Sequence, residues 1–286
     1  MKKILVVNIP SGEENSPFGE WAKNVYMPMT KRNLDLVKGP DTQFTYRFST
    51  WGMGPERTAF YRYLDHLASR KVFYLAQHAE EEGFDGVIVN CCGDPMVWEL
   101  RQALNIPVVG ILEAALLQSN LIAPKIGIVH ISPYNIPETM EKVVSYHQGE
   151  HVVACKPIHG WENADLEEAM VDSTKRVTAF IETARELIDM GAEAILPACS
   201  LLSPTVRFTP GMEGIYPDGL TSVDGAAIID VESAAVKMLE NLIDLKRGGS
   251  SWISRKYTYA QPDAELLAQS SGLLDAGSIH YWDIVF

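Results

Sequence analysis

The apolar positions of this chain fall into short unbroken runs separated by stretches with helical spacing. Ile4-Leu5-Val6-Val7 is closed by Asn8, and Ile126-Gly127-Ile128-Val129 is closed by His130; a lysine, Lys3 or Lys125, precedes each run. Apolar runs of this length with polar ends predict buried strands. The segments Val87–Val89, Ile106–Ile111, Ala194–Leu196 and Ala227–Val231 read the same way. Between strands, Val177, Phe180, Ile181, Ala184, Leu187 and Ile188 recur at the spacing of one helix face. Val72, Phe73, Ala76 and Ala79 make a weaker stripe in the corresponding earlier place. Short apolar strands alternating with helices predict parallel sheets covered on both faces.

The pattern is duplicated. Gly83-Phe84-Asp85-Gly86-Val87-Ile88-Val89-Asn90-Cys91 and Gly191-Ala192-Glu193-Ala194-Ile195-Leu196-Pro197-Ala198-Cys199 keep glycine, acid and cysteine at one offset of 108 residues (191 − 83, 193 − 85, 199 − 91). The expected fold is α/β, with two pseudo-symmetric lobes, each a parallel sheet flanked by helices, and an active site in the cleft between them. The strand and helix from Ile228 to Leu245 repeat Val108 to Gln118 and are expected to pack back on the first lobe. The division is then 1–120 plus 223–286 for the first lobe and 121–222 for the second. Three segments stand outside the repeat. Ser11 to Met29 reads as a polar loop near the end of the first strand. Phe44, Tyr46 and Phe48 alternate as in a half-buried strand. A tail after Arg247-Gly248-Gly249-Ser250 carries Tyr281, Trp282 and Phe286, aromatics that imply docking on the body or on a second subunit.

Composition narrows the function. Of 286 residues, 47% are hydrophobic and 21% charged, as in an ordinary globular chain with a real core. A net charge of −13 argues against nucleic acid and anionic membranes as partners, since both call for basic patches. No stretch approaches the roughly 18 apolar residues of a membrane span. Met1-Lys2-Lys3 before an apolar run looks like a secretory start, but the run stops at Asn8, far short of a signal core. The expected location is the cytoplasm. Four cysteines in a chain this long, two of them adjacent, do not make a disulfide framework.

The remaining chemistry sits at the strand ends, where parallel sheets bind ligands. Cys91 and Cys199 both lie there, and a duplicated strand-end cysteine suggests two thiols facing one cavity from opposite sides. That arrangement suits moving a proton across a carbon centre. Cys92, Gly93 and Asp94 after the first cysteine, and Ser200 and Leu201 after the second, are expected to cradle a carboxylate or an enolate oxygen on free backbone N–H groups. Asp94 before Pro95 reads as a helix N-cap, with Ser203 as its counterpart, and the helix starts are expected to lower the nearby thiol pKa. Asn8 and Thr50 are further pocket candidates. A core role for Cys92 and for Cys155 stays open beside this. Glu113 reads as either an orienting carboxylate or a helix-start residue. His147 and His151 are four apart, but the intervening Gly149 weakens a helical metal site, and no metal is expected. There is no Walker loop and no Gly-x-Gly-x-x-Gly after the first strand, so nucleotide binding has no support.

Asp85-Gly86-Val87-Ile88-Val89-Asn90-Cys91-Cys92-Gly93-Asp94-Pro95, followed by Ile106-Pro107-Val108-Val109-Gly110-Ile111-Leu112-Glu113-Ala114-Ala115, resembles the hydantoin racemase branch of the aspartate/glutamate racemase superfamily. Val7-Asn8-Ile9-Pro10-Ser11, Gly54-Pro55-Glu56, Gly191-Ala192-Glu193, Cys199 and Ile229-Asp230 before Ala234-Ala235-Val236-Lys237 extend the similarity over about residues 3 to 240. The resemblance implies a two-lobed fold and cofactor-independent racemisation of a small molecule, with Cys91 and Cys199 as acid and base. A homo-oligomer is expected. Cys92 stands where hydantoin enzymes usually carry an aromatic residue, and Pro197-Ala198 and Ser200-Leu201-Leu202 depart from the usual surroundings of the second cysteine. The candidate substrates are therefore a 5-substituted hydantoin, an allantoin-like ureide or an amino-acid derivative. Decarboxylation, cis-trans isomerisation or ligand binding without turnover are the alternatives on the same fold.

Overall fold

In a computed structural model that describes residues 1–50, 61–163, 165–269 and 280–286, the described strands build two five-stranded sheets. The first contains β1 (Lys2–Ser11), β2 (Thr42–Ser49), β3 (Gly86–Asn90), β4 (Val108–Gly110) and β10 (Tyr281–Val285), in the order β10-β2-β1-β3-β4. The second contains β5 (Ile126–His130), β6 (Val152–Pro157), β7 (Ala194–Pro197), β8 (Ser222–Val223) and β9 (Ala226–Ile228), in the order β6-β5-β7-β9-β8. Within each sheet the four repeat-related strands are parallel, and the extra strand is antiparallel at one edge.

The strands are apolar almost throughout because both of their faces are covered. Leu5, Val7, Val87 and Val89 face a cluster closed by Val72, Leu75 and Ala76 of the Arg62–Ala76 helix. Val129 and Ile195 face Val177, Phe180, Ala184 and Leu187 of the Thr174–Asp189 helix. The opposite faces, through Ile4, Val6, Ile88, Ile126, Ile128 and Leu196, share one large core that joins the lobes. The Ile111–Ser119 and Val231–Arg247 helices pack on each other inside it.

The 108-residue repeat persists at the level of single hydrogen bonds. Gly83 and Gly191 both adopt positive φ, 84° and 100°, where glycine avoids the Cβ penalty. Phe84 N–H donates to Ala79 O, and Ala192 N–H to Leu187 O; Asp85 N–H reaches Lys3 O, and Glu193 N–H reaches Lys125 O. Both cysteines are thus delivered by the same helix-turn-strand unit.

Three expectations change, and a fourth, where the tail docks, is decided. β9 pairs with β7, so the strand at Ala226–Ile228 stays in the second sheet and the chain crosses to the first lobe only with the 231–247 helix. Ser11–Met29 is not a loop: Ser11 belongs to β1, and helical structure runs from Pro17 to Asp35, opened by the Ser16 cap. Phe44, Tyr46 and Phe48 are fully buried, and their strand β2 does have a repeat mate, the edge strand β6. The tail docks on its own body. Trp282 stacks on Phe48 at 4.7 Å, and Arg47 holds Asp283 at 3.0 Å while also pairing with Glu82. The Gly54-Pro55-Glu56 match lies outside the described residues. No helix among the described residues is long and apolar enough to cross a membrane.

Candidate active site

Cys91 follows the last residue of β3, and Cys199 lies two residues beyond β7. Both are half-buried free thiols. Gly93 N–H donates to Cys91 Sγ and Leu201 N–H to Cys199 Sγ, both at 3.4 Å and both from the residue two places on. The two cysteines line one cavity of about 100 Å³, together with Ile9, Asp65, Cys92, Gly93, His130, Glu138, Thr139 and Ser200. Asp65, Gly93 and Glu138 also line a larger cleft of about 370 Å³, walled further by Arg62, His66, Trp98 and Lys142.

The helix starts do not lower the thiol pKa values. Burial pushes the Cys91 thiol far up, and the carboxylate of Asp65 pushes in the same direction, outweighing the Gly93 amide. Cys199 is also pushed up by burial, but amides of Leu201 and Leu202 and the charge of Arg176 act against it. A thiolate here costs desolvation, and it is less costly at Cys199. The amide donors read from the sequence as an oxyanion cradle are already engaged by sulfur at Gly93 and Leu201.

Several expected pocket residues have other work. Asp94 does not start its own helix; the Val97–Ala103 helix begins after Met96, which has φ 59°. Its fully buried carboxylate instead caps the 111–119 helix, accepting from Leu112 N–H at 3.1 Å and Glu113 N–H at 2.8 Å, and from Tyr146 OH at 3.0 Å. Desolvation raises the Asp94 pKa to about 7. A Cβ on Gly110 would lie 2.3 Å from Asp94 Cγ, so glycine there makes room for this cap. Ser203 is inside its helix and donates to Asp230 Oδ1 at 3.0 Å. Glu113 pairs with Arg101, which is the structural role. Thr50 Oγ1 donates to His280 O at 2.9 Å, beside the tail strand and not on the cavity. Leu201 contributes its amide, while its side chain is buried in the shared core. Cys92 lines the cavity and belongs to that core as well, so the two readings of it coincide.

Asn8 is completely buried and does not line the cavity. Its Oδ1 accepts from Asn90 Nδ2 at 3.0 Å, and Asn90 Nδ2 also reaches Tyr26 OH at 2.9 Å and Glu232 Oε1 at 3.4 Å. Desolvation raises the Glu232 pKa to about 8, with Asp230 adding to it. Tyr26 comes from the helical segment between β1 and β2, so that segment braces the strand carrying Cys91.

The residues missed in the sequence are Asp65, His130, Glu138 and Thr139. His130 carried a signal, because it closes β5 as Asn8 closes the apolar run of β1. Asp65 and Glu138 are single acids on ordinary helices and carried none. Burial is the first cause raising the pKa of each, and neither carboxylate makes a hydrogen bond or ion pair among the described residues.

A family model described as Asp/Glu/Hydantoin racemase matches residues 26–239. The chain is 27% identical over 208 residues to the hydantoin racemase of Pseudomonas sp. (strain NS671), spanning 72% of this chain and 76% of that protein. Allantoin racemase from Klebsiella pneumoniae superposes with a TM-score of 0.69 at 21% identity, covering 92% of this chain and 94% of the other. Allantoin racemase from Pseudomonas fluorescens gives 0.67 at 22% identity, covering 91% and 97%.

Proposed function

The chain belongs to the Asp/Glu/hydantoin racemase family, and from that premise we propose that it racemises a five-membered ureide or hydantoin by two-thiol proton transfer. The observation that carries this is that Cys91 and Cys199 line one cavity. Cys199, the thiol whose anion is better supported, removes the proton from the carbon next to a carbonyl, and the electron pair moves onto the carbonyl oxygen. Cys91, held protonated by burial and by Asp65, delivers its proton to the opposite face of the planar enolate. The enzyme is left with the Cys91 thiolate and the Cys199 thiol, the form that serves the other enantiomer. The electrons rest on the substrate's own carbonyl, so the scheme draws on no cofactor.

The adjoining cleft takes the substituent at the stereocentre. Its lining by Arg62, Asp65, His66, Glu138 and Lys142 supports a polar group such as a ureido chain over an aliphatic one. Four unpaired thiols support a reducing, cytoplasmic setting. Enantiopure allantoin and 5-substituted hydantoins are incubated with the protein in heavy water, with optical rotation and proton spectra followed together. The reading predicts that rotation decays to zero as one deuterium enters the stereocentre. Release of carbon dioxide from a carboxylated analogue, with no racemisation, would replace it with a decarboxylase.

A further inference from the structure

Resting on the racemase reading, we propose that His130 is the electrophile of the site: its imidazole donates Nε2–H to the carbonyl oxygen that gathers charge as the substrate enolises. His130 ends β5 and lines the same cavity as both cysteines. The residue is only 6% exposed, and its Nδ1 is buried with no partner among the described residues. Nε2 makes no hydrogen bond among the described residues either but, unlike Nδ1, is not fully buried, so it is the ring nitrogen open to the cavity that His130 lines.

Two physical points fix its state. Desolvation lowers the imidazole pKa to about 4, so the ring is neutral at ordinary pH although Asp65 and Glu138 line the same cavity. A buried N–H without an acceptor is rarer than a buried acceptor without a donor. The proton therefore sits on Nε2, and the cavity meets a donor. A neutral imidazole can polarise a carbonyl and keep its proton, which leaves proton transfer to the thiols. Gly93 and Leu201 amides, the obvious alternatives, are hydrogen-bonded to the two sulfurs.

The test compares His130→Ala and His130→Gln with the native enzyme. Gln can place an amide N–H where Nε2 sits. Removing the donor is expected to lower kcat about 100-fold, the effect of deleting one oxyanion contact, with KM nearly unchanged. Gln is expected to restore kcat at least about tenfold over Ala. Nitrogen-15 spectra of labelled histidine should show the neutral Nε2–H form from about pH 5 to 8, with a shift on adding barbiturate, a planar anionic stand-in for the enolate. Native kcat in the Ala variant, no gain in Gln, or an Nδ1–H tautomer overturns the assignment. If the native protein racemises neither allantoin nor hydantoins, the proposed function falls on its own. Barbiturate affinity then decides the role of His130, with a loss of about tenfold in the Ala variant supporting it and equal or absent binding overturning it.

Discussion

Cys91 and Cys199 are delivered by the same turn and strand and accept the same amide contact, yet their surroundings differ in charge. Around Cys91 stand Asp65, Glu138 and Asp94, all of which resist a thiolate once burial has already raised its cost, with the buried Lys71 opposing them. Around Cys199 the second amide of Leu202 and the Arg176 guanidinium favour the anion, with Glu232 opposing them. Arg176 is itself buried, with Nε lacking a partner among the described residues, so its charge is poorly screened. The 108-residue repeat accounts for the matched backbone, and the different helices packed around each thiol account for the unmatched field. On the proposed mechanism this difference sorts two identical thiols into a resting acid and a resting base, as two chemically alike groups are when their environments separate their pKa values.

The comparison is broken most severely by removing a thiol. Cys91→Ser and Cys199→Ser are each expected to lose racemisation by at least about a thousandfold, measured by polarimetry, because neither face can do both jobs. Sharper tests change the field and keep the sulfurs. The proposed mechanism requires one thiolate and one thiol, so kcat/KM should follow a bell in pH whose limbs belong to the coupled pair. Asp65→Asn removes an anion from beside Cys91 and should pull the alkaline limb to lower pH. Arg176→Met removes the cation supporting the Cys199 anion and should push the acid limb to higher pH. If both variants moved the same limb, the assignment of roles would be wrong.

Glu232→Gln gives a smaller, thermodynamic effect. The Glu232 carboxyl titrates near pH 8 in the folded protein against an ordinary 4.5, so the folded state holds a proton that the unfolded chain has lost. Its contribution is complete below the unfolded pKa and is lost as pH rises through about 8. The variant should gain stability relative to the native protein between pH 5 and pH 8, on the order of 2 kcal/mol by urea unfolding. Least affected should be Thr50→Ala, whose kcat/KM is expected to stay within about twofold because the hydroxyl serves the His280 carbonyl.

The two halves of the site also differ in how readable they were. Gly83, Asp85 and Cys91, with their mates Gly191, Glu193 and Cys199, are local signals: a left-handed helix end, a short strand and the residue after it. The sequence therefore carried the lobed fold and both thiols. What surrounds the thiols depends on which helix face the fold turns inward, and Asp65 and Glu138 look like any acid on an amphipathic helix. Burial outweighed the helix-end effect on the thiols for the same reason, because desolvation is a property of the assembled core. The kinship of β2 and β6 was hidden because Phe44, Tyr46 and Phe48 are answered by the far less apolar Val152-Val153-Ala154-Cys155-Lys156-Pro157. The Ser16-Pro17 pair is a helix start that the polar residues around it disguise.

Deuterium labelling of the two single-serine variants, each supplied with the separate enantiomers in heavy water, addresses the central claim most directly. Opposed thiols predict that each variant exchanges the stereocentre hydrogen of one enantiomer only. The two variants should choose opposite enantiomers, and Cys91→Ser, which keeps Cys199 as base, should exchange faster. Exchange of the same enantiomer by both variants, or continued racemisation by either, would contradict it.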